Sequence, residues 1–296
     1  MESSTTRRDF IATGAAVAVP LAASAARSAS AAASRAGLLA GKRAVIYGAA
    51  GAIGSSVARA FAREGAELFL TGRTFDKVNA LASELSKGGG NVHAASVDAL
   101  DRAAVEKHLD DAAQAAGGID ISFNLIGIGG EQGQPLTAMT REAFAEPIEN
   151  AMRTHFITTT AAARHMNPHG GVILALTAVV ARKPYPNSGG FGVACAAIEG
   201  LWRQLAIELG PRDIRLVTLR SSGSPDTPGV AFAIGEHAKA VGVTPEAFEA
   251  RMAEVSMLKR MAKMADIANA AVLAASDQAR SMTAAVLNCT CGEIAD

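Results

Sequence analysis

The chain has 296 residues; 49% are apolar, 19% are charged, and 28 basic residues balance 28 acidic ones. That neutrality leaves no cationic surplus for a nucleic-acid surface or an anionic membrane, so the expected partner is a small molecule. The length suits one α/β domain with a well-filled core.

In chain order, the first element is an address. Thr6-Arg7-Arg8-Asp9-Phe10-Ile11 matches the twin-arginine export pattern, and a mildly apolar run follows from Ile11 to Ala26. Gly14 and Pro20 interrupt that run, which falls short of the ~20 strongly apolar residues of a spanning helix. Ala23-Ser24-Ala25 and Ala29-Ser30-Ala31 offer the small residues a signal peptidase needs. Residues 1–31 are therefore expected to be a twin-arginine signal segment, with a periplasmic or extracellular mature protein and one domain over residues 37–296. No later stretch reads as a membrane span. Three cysteines make no complete disulfide framework, and no histidine or second cysteine pair completes a metal site.

Strand and helix patterns then alternate. Strands are expected at residues 43–47, 67–71, 91–97, 119–125, 172–176, 214–219 and 284–288. Helices are expected at 52–63, 75–85, 101–116, from the loop 127–135 to about 166, and at 191–209, 230–257 and 265–275. Pro147 is expected to break or kink the fourth of these. Such alternation implies α/β architecture: a parallel sheet with helices on both faces.

Gly48-Ala49-Ala50-Gly51-Ala52-Ile53-Gly54 lies between the first strand and its helix. Glycine there lets the backbone approach a pyrophosphate, and the helix N-terminus offers free N–H groups. Val97-Asp98-Ala99, Asn124 to Gly127, the run Gly189 to Leu201, Ser222-Gly223 and Asp226-Thr227-Pro228 follow in order. From about Gly41 to Gly292 the succession resembles the short-chain dehydrogenase/reductase family. The resemblance implies a Rossmann-like, doubly wound three-layer fold and a nicotinamide cofactor held by Gly48, Gly51, Ile53 and Gly54. It further implies Asp98 and Ala99 at the adenine, Asn124 and Gly127 along the fourth strand, and Thr227 at the nicotinamide amide. It also implies a homo-oligomer formed through helices 152–166 and 191–209. Ala52 stands where most members carry the middle glycine.

At the end of the second strand an acidic residue would select NAD; here Gly72 is followed by Arg73. A guanidinium suits the 2′-phosphate of NADP, with Lys42 or Arg43 as assisting cations, so NADP is favoured and NAD is the alternative.

The family's four catalytic places fall, by local alignment, at Ala151, Ala178, Phe191 and Cys195, where asparagine, serine, tyrosine and lysine are usual. Phenylalanine has no exchangeable proton, and a thiol does not reproduce lysine's reach or fixed charge. Nearby, Tyr185 reads first as a packing tyrosine between prolines. Thr177 is expected on the opposite face of its strand, and Asn150 is turned away by ~100° of helix. Two functions compete, beside a third reading as a non-redox lyase or isomerase using the old pocket. One is an exported oxidoreductase of altered mechanism acting on a small substrate that needs hydride without a tightly coupled proton. The other is a catalytically degenerate nucleotide-binding protein or partner subunit.

Overall fold

The structure is a computed structural model that describes residues 36–295, so the expected export segment lies outside the described residues. Seven strands form one sheet: β1 (Arg43–Tyr47), β2 (Glu67–Gly72), β3 (Val92–Ser96), β4 (Ile121–Asn124), β5 (Gly171–Ala178), β6 (Ile214–Ser221) and β7 (Ala285–Cys289). Their order is β3-β2-β1-β4-β5-β6-β7, with every pair parallel. The helices are α1 (Ala52–Arg63), α2 (Phe75–Lys87), α3 (Arg102–Ala116), α4 (Arg141–His165), α5 (Gly189–Leu209), α6 (Pro228–Ala240), α7 (Pro245–Val255) and α8 (Met264–Ala275).

The central strands are apolar on both faces because both are covered. Along β1, Ala44 and Ile46 join a core with Val57 and Phe61 of α1 and Ile267 and Ala271 of α8. The alternate residues, Val45 and Tyr47, pack instead with Val105 and Leu109 of α3. Helices α4 and α5 cover β5 from that second side, around Ala162, Ile173, Ile198 and Trp202. The α/β doubly wound reading holds. The order reverses beside β1, since the chain runs outward to β3 and returns to β4. Loops leaving the C-terminal ends of β1 and β4 therefore diverge and open the crevice where such sheets bind ligands.

Two expectations need correction. Pro147 does not break α4, which continues through it from Arg141 to His165. The ring sits in space left by two glycines, since a Cβ on Gly130 or Gly190 would meet Pro147 Cγ at 3.0 or 2.9 Å. Only one intrahelical hydrogen bond is forfeited. The expected helix over residues 230–257 is two helices, α6 and α7. Gly242 turns the chain at φ +72°, and Thr244 caps α7 by accepting from the Ala247 N–H at 3.2 Å, with Pro245 in the first turn.

Candidate functional site

Gly48 ends β1 at φ +72°, and a Cβ there would meet the Leu125 carbonyl oxygen, just past β4, at 2.8 Å. Gly51 caps α1, its N–H held by the Gly48 carbonyl at 3.0 Å. No side chain caps this helix and its first turn carries no acid, which leaves a positive end for an anion. Gly54 is held closest of the three: a Cβ would lie 2.3 Å from the Gly48 oxygen. Ile53, half-buried, packs against the core of that face. Ala52 is accommodated beside them without disturbing the turn. The cradle thus fits a pyrophosphate, with backbone N–H groups as its donors.

The remaining cofactor candidates line the same edge. Asn124, the last residue of β4, is 4% exposed; its Oδ1 accepts from the Ile126 N–H at 3.0 Å and its Nδ2 donates to Thr158 Oγ1 at 3.1 Å. Gly127 follows in an open stretch, where an added Cβ would meet nothing within 4 Å. After β3, Asp98 is exposed and accepts from the Leu100 N–H at 3.0 Å, while Ala99 is buried against α3. Thr227 is a helix cap: its Oγ1 donates to the Ser224 carbonyl at 2.9 Å and accepts from the Val230 N–H at 3.3 Å. Its hydroxyl is thus committed to capping α6.

Arg73 follows Gly72 at the end of β2 and is exposed. A Cβ on Gly72 would approach Val78 Cγ2 at 3.0 Å, so the acid of an NAD-type site has little room there. The assisting cations are a correction. Lys42 pairs with Asp277 at 3.0 Å and Arg43 with Asp120 at 2.7 Å. Both sit at the start of β1, a whole strand of ~3.3 Å per residue away from the cradle.

The four catalytic places do converge. Ala151 and Cys195 are buried members of one apolar cluster, and Ala178 and Phe191 pack against it. Burial pushes the Cys195 thiol up to about 12, and the neighbouring Glu199 charge adds to the rise. A hydrogen bond from the Ala178 backbone opposes them without prevailing. The thiol is therefore neutral at physiological pH and unsuited to nucleophilic attack. Thr177 corrects the expectation of an opposite face. Ile173, Ala175 and Thr177 all face α5, and the Thr177 hydroxyl donates to Glu199 Oε1 at 2.9 Å. Ala178 meets the same cluster because the chain turns off the sheet there into the short helix Val179–Ala181. Asn150 is half-buried, its carbonyl accepting from Thr154 Oγ1 at 2.7 Å.

Two polar groupings escape the sequence pattern. Arg220 grips Glu199 with Nε and Nη2 at 2.9 and 2.7 Å, and both side chains are buried. Residues 177, 199 and 220 are too far apart in sequence to suggest this, although four-residue spacing from Cys195 puts Glu199 on the inward face of α5. The second lies in the segment joining β5 to α5. Lys183 donates to the nearly inaccessible Glu293 carboxylate at 3.2 Å, and its ammonium stands 5.3 Å from the Tyr185 ring centroid. The Tyr185 hydroxyl is buried without a hydrogen-bond partner, which costs on the order of 1–3 kcal/mol.

Comparison with known proteins agrees with this geometry. A family profile described as "Enoyl-(Acyl carrier protein) reductase" matches residues 48–293. The 7alpha-hydroxysteroid dehydrogenase of Escherichia coli is 29% identical over 86% of this chain and 95% of its own. The mouse peroxisomal 2,4-dienoyl-CoA reductase is 29% identical over 68% and 69% of the two chains. Among solved structures, carveol dehydrogenase from Mycobacterium avium in complex with NAD is 26% identical, with a TM-score of 0.80 over 87% of this chain and 99% of its own. Fold, glycine cradle and family profile together place this chain in the short-chain dehydrogenase/reductase family, an oxidoreductase family that binds NAD(P).

Proposed function

We propose that this protein is an exported, NADP(H)-dependent oxidoreductase acting on a small apolar substrate with an activated carbon–carbon double bond. The observation that carries the reading is a built dinucleotide edge beside an apolar cluster at all four catalytic places. Bound NADPH supplies a hydride. Gly48, Gly51, Ile53 and Gly54 would hold its pyrophosphate, and Arg73 its 2′-phosphate. Hydride addition to a carbonyl leaves an alkoxide that demands a proton at once, and absence of a general acid costs about 10²–10⁴ in rate. Addition to an alkene conjugated to a carbonyl leaves a delocalised enolate, which tolerates a later proton. The matching family profile and the mouse relative are both named for reduction at such bonds.

Export through the twin-arginine route, which carries folded proteins, implies cofactor loaded before transport and regenerated while bound. A homo-oligomer through α4 and α5 is proposed as well. Phe156 on α4 is 48% exposed and Ile207 on α5 77% exposed, and sedimentation of the purified protein tests whether they are covered. The functional test is oxidation of bound NADPH, followed by nicotinamide absorbance, on addition of an enone or of the matching saturated ketone. Oxidation by the enone alone supports the proposal. Oxidation by the ketone at comparable rate contradicts it, and NADPH that binds but reduces neither favours the degenerate binding protein.

A further inference from the structure

We propose that Cys289 and Cys291 are a redox pair, two thiols that close a reversible disulfide across Thr290 at the C-terminal end of β7. Residues two apart on an extended strand point the same way but stand about 7 Å apart, and the Cβ atoms of a disulfide are only ~3.8 Å apart. Here the chain does not stay extended. Strand β7 stops at Cys289 and the chain bends at Thr290. Asn288 Oδ1 fixes the bend, accepting from the Thr290 N–H at 3.1 Å and from its hydroxyl at 2.6 Å. Cys291 and Gly292 then both take positive φ, +54° and +79°, and the Glu293 N–H closes the turn on the Thr290 carbonyl at 3.1 Å. Glycine or asparagine is usual in such a turn, so Cys291 is held in a conformation that few residues adopt. Both cysteines pack against one core, that of α1 and α8, which puts the two thiols on the same side of the turn. Both are free and part-exposed, whereas Cys195 is buried.

The turn is also a junction. Ser222 Oγ, after β6, donates to the Thr290 carbonyl at 3.0 Å. The Leu258 and Met257 N–H groups, after α7, donate to the Cys291 and Gly292 carbonyls at 3.1 and 3.3 Å. Lys183, after β5, pairs with Glu293 at 3.2 Å. A bond inside the turn therefore fixes the point where three segments meet at the C-terminal edge of the sheet. With one residue between the thiols, ring closure constrains the unfolded chain little, and a strained ring is easily reduced. That suits a reversible site better than a structural staple. The export proposed above would bring the pair into an oxidising compartment. The oxidant is a low-molecular-weight disulfide. The Cys291 thiolate attacks one of its sulfurs, that S–S bond breaks, and the departing thiolate takes up the proton Cys291 gave to solvent. Cys289 then gives up its proton and attacks the mixed disulfide at Cys291, releasing the second thiol. Two protein thiols are oxidised to one disulfide, and the external disulfide is reduced to two thiols. Burial, with the charges of Cys291 and Asp266, pushes Cys289 up to about 11, which suits it to this second, intramolecular attack.

Trypsin separates the pair from Cys195, because no lysine or arginine lies between Ser281 and Asp296. The folded full chain is incubated with glutathione disulfide, the remaining thiols are alkylated, and the peptides are weighed. The peptide of residues 281–296 is expected to take up no alkyl group and to lose the mass of two hydrogens, while Cys195 stays alkylatable. Excess reduced glutathione restores both thiols. Cys289→Ser leaves Cys291 carrying a glutathionyl group, and Cys291→Ser leaves Cys289 largely unmodified. In denaturant, at the same ratio of glutathione to its disulfide, the pair closes to a smaller extent because the bend is lost. Two alkylatable thiols after oxidation of the folded chain, glutathione on both cysteines, or equal closure in the folded and unfolded chains would overturn the proposal. Each of these results leaves the oxidoreductase reading where it stands, since cofactor and substrate take no part in the assay.

Discussion

The two halves of the site are encoded differently. At the β1–α1 turn and β4 the geometry resides in the backbone: three glycines hold a strand end against a helix start. At α4, β5 and α5 the family's chemistry resides in four side chains, and here those are two alanines, a phenylalanine and a cysteine in an apolar cluster. The strand and the two helices presenting them are fully formed. A scaffold can thus keep its shape while its reactive groups change, because the sheet and helix packing depends on apolar volume and not on the tyrosine or lysine. The buried Glu199–Arg220 pair shows which polar groups this half does depend on.

The comparison is broken or sharpened by variants in each half. Glu199→Ala, which strips Arg220 of a carboxylate bound by two of its nitrogens, should lower stability by about 3–5 kcal/mol, read by denaturant unfolding. Cofactor affinity of the folded protein should stay unchanged; a large loss would mean the halves are coupled. Arg73→Ala removes a charge-assisted contact of about 1.5–3 kcal/mol, so NADPH should bind roughly 10–100-fold more weakly while NADH is unaffected. Equal losses for both cofactors would return Arg73 to an ordinary surface residue. Gly54→Ala forces a methyl against the Gly48 oxygen and should cost about 1–3 kcal/mol together with cofactor affinity. Gly127→Ala, with open space around it, should change neither in the same assays.

A different kind of test lies in pH dependence. Burial holds His155 at about 3 and His108 at about 4, both below the ordinary 6.5, so each is neutral in the native state. On acidification the unfolded chain binds their protons first. Their contribution is full above 6.5 and is lost as pH falls towards 4 and 3, at up to about 1.4 kcal/mol per pH unit for each histidine. Unfolding measured across that range should show a shallower slope in His155→Gln.

Much of this was legible in the sequence because it follows from local rules. Period-two and period-3.6 patterns located the strands and helices, and the glycine spacing located the cradle. What escaped was set by tertiary contact. The continuity of α4 through Pro147 depends on Gly130 and Gly190 making room for the ring. The orientation of Thr177 depends on Glu199, and the exclusion of Lys42 and Arg43 on their pairing with Asp277 and Asp120 at the far edge. The break between α6 and α7 was local, written in Gly242-Val243-Thr244-Pro245, and the apolar run on either side obscured it.

The most direct measurement is a nicotinamide-fluorescence titration of the protein with NADPH, in the unaltered chain and in Gly54→Ala and Phe191→Ala. A retained cofactor half beside a substituted catalytic half predicts saturable, stoichiometric binding that Gly54→Ala weakens and Phe191→Ala leaves alone. No saturable response from the unaltered chain, or binding lost in Phe191→Ala and kept in Gly54→Ala, would contradict it.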